Sequence, residues 1–257
     1  MVERRSPLLF FALLLALALP VWLASERFGV MGSLRIPVSD LVLAFTPMAA
    51  ALILVTWREG WRAAMSLLRQ AFDPTSLRAR HLALSAVLAP AIYLLTWLVM
   101  RAMGGGQGPP LDLVRLVFLF ALFLVLAAGE EVGWMGYAFD PLQQRWGPIG
   151  ASLILSGPWW VGHLPSMQAI GATPADMAGW AVGAVALRVL IGWLYNLSGG
   201  ALVTAVLFHA LLNLGRIATY PATGAHYSSA WQVTGYLVAG VLAGAVILQG
   251  RMSGRSA

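Results

Sequence analysis

The chain has 257 residues, 60% hydrophobic and 10% charged, with apolar runs of about 20 residues recurring along it. This excludes an ordinary soluble domain and marks a multi-span helical membrane protein. Its net charge of +6 comes from 16 cations, all arginine, that sit mostly between the apolar runs without interleaved aromatics, so nucleic acid is excluded as a partner and the bilayer is implied. The absence of cysteine excludes disulfides, thiolate catalysis and cysteine metal sites.

In chain order, Arg4 and Arg5 precede the apolar run Leu8–Ala24. Its length, and Trp22 at the −3 position of any cleavage after Ala24, favour a retained first span over a signal peptide. A short polar loop, 25–37, leads to a second span, Val38–Trp57, kinked at Thr46-Pro47. Over 58–80, Trp61, Met65, Leu68 and Phe72 recur at helical spacing and Arg58, Arg62 and Arg69 take another face, which predicts an amphipathic helix on the membrane surface. The third span is Leu82–Met103, followed by a glycine- and proline-rich connector at 104–110 that lacks the Lys-Ser/Thr of a phosphate loop. The fourth runs from Leu113 to Phe139, and a loop at 140–148 separates it from the fifth, Ile149–Pro165. The sixth, Ala178–Leu197, has Gly179 and Gly183 at small-xxx-small spacing for close helix approach. The seventh, Ala201–Ile217, and the eighth, Trp231–Gly250, complete the chain. The fold is therefore all-α: about eight transmembrane helices plus one interfacial amphipathic helix, in a single domain over 1–257.

Eight spans put both termini on one side. Arg4, Arg5, Arg58, Arg62, Arg69, Arg78, Arg80, Arg145, Arg251 and Arg255 then share one side, and Arg27, Arg35, Arg101 and Arg216 the other. The richer side is cytoplasmic, so both termini are cytoplasmic. Arg115 lies near a span end, where it can snorkel, whereas Arg188 lies deeper and needs a partner.

Chemistry concentrates in three spans. Glu130 and Glu131 follow a long apolar run, and an acid within a span marks a functional site by default. Adjacent on a helix, they point about 100° apart, so one can face a site while the other binds a structural partner. His209 and Asn213, four apart, share a helical face suited to holding an oxyanion or to an interhelical clamp. His163 ends the fifth span, where alone it reads as a satisfied polar residue and with Glu130 and His209 as a third member of a site; Trp159 and Trp160 beside it read as an aromatic interface belt. Counting rise along the helices, Glu130 and His209 come out roughly 12–14 Å from the cytoplasmic face and His163 roughly 21 Å, compatible with one shared site open to the cytosol. Glu130, His163 and His209 suit zinc with an open position, or a metal-free glutamate/histidine pair that activates water; spacing admits both. No His-Glu-x-x-His is present. His81 and His226 read as structural, and Trp134 and Tyr137 as packing or pocket lining.

Three motifs in order, Glu130-Glu131-Val132-Gly133-Trp134-Met135, Trp159-Trp160-Val161-Gly162-His163 and His209-Ala210-Leu211-Leu212-Asn213, resemble those of the CAAX-protease and bacteriocin-processing (CPBP, or Abi) intramembrane proteases. That family has Glu-Glu-x-x-x-Arg, Phe/Trp-x-x-x-His and His-x-x-x-Asn/Asp. The resemblance implies a core over about 82–217, with Glu130 as the water-activating base, His163 helping to hold the water, His209 and Asn213 stabilising the oxyanion, and Glu131 in support. It leaves zinc open, because family members are described both as metalloproteases and as metal-independent. Met135 stands where the family arginine is expected, so Glu131 needs another cation, Arg188 or Arg145. The implied activity is an intramembrane endopeptidase acting on a peptide or a membrane-anchored protein, in a multi-pass protein of a prokaryotic plasma membrane. Two rivals remain at this stage: a non-catalytic scaffold or immunity-type factor that keeps the fold, favoured by Met135, and a transporter or proton relay, favoured by buried Glu and His.

Overall fold

The computed structural model describes residues 5–31, 36–75, 77–223 and 225–251. Arg4, Arg35 and Arg255, which enter the topology count, lie outside the described residues. The fold is a bundle of α-helices with two pairs of two-residue strands. Among the described residues six helical runs are long and apolar enough to cross a membrane, and Pro7–Leu23 is a shorter apolar helix beside them.

Helix α1 (Pro7–Leu23) begins where the Ser6 side chain accepts the Leu9 N–H and Pro7 supplies a preset first turn. The segment expected as a plain loop holds a helical turn, α2 (Ser25–Phe28), and an antiparallel pair, β1 (Val30–Met31) with β2 (Ile36–Pro37), in the register Val30 opposite Pro37. The second span, Val38–Glu59, is kinked just before Thr46-Pro47, where Ala44 and Phe45 form a turn with right-handed φ/ψ. It consists of α3 (Val38–Leu43) and α4 (Thr46–Glu59), with Pro47 in the first turn of α4, where a missing N–H costs nothing.

Helix α5 (Trp61–Gln70) is shorter than the expected 58–80, because Gly60 adopts φ 87° and breaks the run. Its most buried residues are Ala64, Leu67 and the following Ala71, and of the predicted apolar stripe Met65 and Leu68 are half-buried against the core. Small alanines let it lie close to the bundle, while Trp61 and Phe72 stay exposed, as suits a helix at the lipid interface.

Helix α6 (Ala79–Ala102) precedes a long helical run: α7 (Leu113–Gly133), a π-turn (Trp134–Phe139) and α8 (Asp140–Ala169), which is two helices meeting at a kink at Gly147. The loop expected at 140–148 is thus reduced to that kink, with helix on both sides of it. A straight helix of these 57 residues would be about 85 Å long, nearly three bilayer cores. It doubles back instead, turning at the π-turn and at Gly147, whose φ of 69° and ψ of 167° no helix contains. Trp159 consequently returns to bond Glu130.

Helix α9 (Pro174–Leu197) starts with a capping box between Thr173 and Asp176 and is the most enclosed span. It packs against α8 and α11 (Ser229–Leu248), and α10 (Leu202–Thr219) packs against α6 and α7. A Cβ at Gly183 would collide with the Tyr236 ring, so the expected close approach of small residues joins α9 to α11. A last strand pair, β3 (Ala222–Thr223) with β4 (His226–Tyr227), links α10 to α11. Leu8, Leu15, Val117, Phe118, Val241 and Leu248 point outward and exposed, an apolar belt fit for lipid and unfit for water.

The bundle has two distinct ends. At one, Arg5 donates to the Gly136 carbonyl at 2.7 Å and pairs with Glu59, while Asn196 donates to Gln143. This end carries α5, the π-turn and the arginines of 58–80. The other end carries both strand pairs and residues 103–112 and 170–173.

Candidate active site

Glu130 and Glu131 diverge on α7 as adjacent helical residues must, and the two carboxylates meet different surroundings. Glu131 points into the bundle and is fully buried. Nη1 of Arg188, from α9, donates to both of its oxygens at 3.0 and 2.9 Å, and Nδ1 of His209, from α10, lies 2.7 Å from Oε1. Of the two cations considered for Glu131, Arg188 fills the role; Arg145 lies over the Trp146 ring instead. Met135, in the position of the family arginine, is buried in the apolar core.

Glu131 receives arginine as a carboxylate, so it accepts from His209 and Nδ1 is the protonated nitrogen. The other nitrogen, Nε2, is directed toward Glu130, 3.9 Å from its Oε1. Glu130 itself is partly open to a cavity, and the Trp159 indole N–H donates to its Oε2 at 2.6 Å. The Arg188 guanidinium lies 3.9 Å from the centre of the Trp159 ring, so one tryptophan both covers the buried cation and holds the open carboxylate. Trp159 is buried, which corrects its reading as an interface belt; Trp160 donates to the Met177 carbonyl.

His163 lies one turn beyond Trp159 on α8. Its Nδ1 is 2.8 Å from the Trp159 carbonyl, which can only accept, so Nε2 is left with a lone pair in the neutral ring. The ring packs edge-on to Trp159 and Trp180. Asn213 lines the same cavity as His209, one turn further along α10. Glu130, His163, His209 and Asn213 are therefore brought to one cavity from three helices, and Glu131 lies behind them. Trp134 lines a smaller, adjoining cavity, while Tyr137 packs on Phe10. His81 meets Arg80 at a helix start, away from the site. His226, expected as structural, lines the large cavity.

One residue of the site escaped sequence reasoning. Asp40, from α3, lines both cavities together with Glu130 and His163. Ser166, which lines the larger cavity with it, donates its hydroxyl to the His163 carbonyl. Among the described residues no cation lies within 4.0 Å of Asp40. The signal was present: an acid near the start of an apolar span satisfies the same criterion that found Glu130.

The smaller cavity lies between α1, the α3–α4 kink and α8, lined by Leu14, Trp22, Pro47 and Pro158. The larger runs from Glu130 and His209 past Asn213 and Arg216 to Ile36, Ala172 and Tyr227. It thus leads to the end with the strand pairs. Toward the arginine-rich end, the expected opening, Trp134, Met135 and Phe139 are buried below the glutamates, and Leu67 and Leu202 press on Gly136.

Zinc is not fitted by this set. Among the described residues, no three His, Asp or Glu side chains are grouped to hold a metal ion.

Comparison with known proteins follows the same residues. Residues 112–215 match the family described as Type II CAAX prenyl endopeptidase Rce1-like. The chain is 27% identical over 147 residues to the CAAX prenyl protease 2 of Methanococcus maripaludis, an alignment covering 51% of this chain and 53% of that protein. The chain thus spans about half the length of that curated relative. All three motifs fall inside the matched segment, and the family resemblance is borne out.

Proposed function

We propose that this protein is an intramembrane endopeptidase that hydrolyses a peptide bond near a membrane-anchored segment by glutamate-activated water. The reading is carried by Glu130, a carboxylate open to a cavity inside the bundle, held by one indole N–H, with Nε2 of His209 3.9 Å away. The similarity to CAAX prenyl endopeptidases supports the reaction class. The assigned core, about 82–217, contains every motif residue, and α1 and α3 complete the cavity wall.

In the proposed cycle Glu130 removes a proton from water, which His163 helps to hold. The hydroxide adds to the scissile carbonyl. The Asn213 amide donates to the oxyanion, and His209 joins it when its ring carries both protons, since Nδ1–H is engaged by Glu131. Collapse of the tetrahedral intermediate breaks the C–N bond, and the proton held by Glu130 passes to the leaving amine. No step is assigned to a metal. The scaffold alternative rested on Met135, and Arg188 now accounts for the cation that Met135 lacks.

The test is cleavage of a peptide library by purified protein in detergent, wild type beside Glu130→Gln, with and without a zinc chelator. Cleavage by the wild type alone, unaffected by chelator, is expected. Equal cleavage by Glu130→Gln would sink the mechanism, and loss of cleavage in chelator would replace it with a metal-dependent one.

A further inference from the structure

The cavity that holds Glu130 has one blocked end and one open end. Below the glutamates the buried side chains of Trp134, Met135 and Phe139 fill the space, and the ion pair of Arg5 with Glu59 ties α1 to α4 beneath them. The cavity wall continues the other way, to Ile36 on β2, Ala172 before α9 and Tyr227 on β4, all at the opposite end of the bundle. No described residue of 58–80, 140–148 or 198–201 lines either cavity at the glutamates.

Charge orients the two ends. The blocked end carries Arg58, Arg62, Arg69, Arg78 and Arg80 in one short connection, together with Arg5, Arg145 and Arg251. At the open end the described arginines are Arg27, Arg101, Arg115 and Arg216, and Arg216 lies inside the cavity over the Tyr227 ring. Arginine in short connections stays cytoplasmic. The blocked end is then the cytoplasmic one.

From these two observations we propose that the catalytic cavity opens on the extracytoplasmic face, and that the substrate is the outer, membrane-proximal segment of an exported or membrane-anchored peptide. This rests on the endopeptidase reading for its chemistry, but not for its geometry. The smaller apolar cavity, beside Leu14 and Trp22 of α1, adjoins the outer half of the bilayer and offers room for the apolar part of such a segment. Water for the reaction arrives through the same mouth.

The sequence makes the test clean, because the chain has no cysteine. Single substitutions Ala172→Cys, at the mouth of the large cavity, and Ser66→Cys, exposed on α5, are expressed in spheroplasts and treated with a membrane-impermeant maleimide. Ala172→Cys is expected to label in intact spheroplasts, and Ser66→Cys only after lysis. Thr223→Cys, exposed on β3, gives the same reading should Ala172→Cys fail to accumulate. Met167→Cys, on the cavity wall, is expected to label from outside as well, showing that the cavity is wet from that face. The reverse order of labelling, or Met167→Cys reacting only after lysis, would overturn the proposal. Labelling is read without turnover, so a failed cleavage assay and a failed orientation remain separate results.

Discussion

Arg188→Met removes the cation that Glu131 has in place of a motif arginine. Both side chains are fully buried, and the guanidinium reaches both carboxylate oxygens within 3.0 Å. Removing one partner of such a pair costs about 3–5 kcal/mol, because the other charge is left in a low-dielectric surround. His209 keeps its 2.7 Å contact and limits the loss, while the Trp159 ring loses its stacked cation and adds to it. The expectation is a fall in unfolding free energy of about 3 kcal/mol or more in mixed-micelle denaturant titration. Arg188→Met/Glu131→Gln removes both charges and should regain most of that stability. It should not regain cleavage, because an amide cannot hold His209 as the carboxylate does. Arg188→Met/Met135→Arg puts the cation back about one turn after Glu131 and should recover part of the cleavage. An Arg188→Met protein with an unchanged midpoint and unchanged cleavage would refute the account of the ion pair.

Three further outcomes are expected. Trp159→Phe keeps the ring over Arg188 but removes the 2.6 Å donor to Glu130; a hydrogen bond to a charged group contributes about 1.5–3 kcal/mol, so cleavage should drop about 10- to 100-fold in kcat at little change in stability. Gly133→Ala would drive its Cβ into the Pro47 backbone, and denaturant titration should record a loss of about 1–3 kcal/mol where α7 meets α4. Asp40→Asn removes a carboxylate with no cation within 4.0 Å from the cavity wall, so stability should hold or rise while cleavage falls about tenfold or more; full cleavage by this variant would make Asp40 a wall residue only.

The sequence was most legible where one physical cost dominates. Burying charge in a bilayer is so unfavourable that Glu130, Glu131 and Arg188 announce themselves in apolar runs, and hydropathy located the long helices, all but the start of α8 within a few residues. What periodicity cannot carry is the path between spans. A loop was expected at 140–148 because Pro141, Gly147 and Pro148 read as breakers, yet Pro141 sits in a helical first turn and only Gly147 leaves helical geometry. The same limit hid the direction of the site. Counting rise from Phe139 and Gly200 gave the glutamate and His209 comparable depths, but depth says nothing about which side is filled. That depends on tertiary fit: the π-turn draws Trp134, Met135 and Phe139 inward together, and Gly136 admits Leu67 from α5. Three bulky side chains and one missing Cβ close the end that the arginines mark. The large cavity leads past Asn213 and Arg216 to the opposite end of the bundle, and the face proposed for substrate entry follows from this packing.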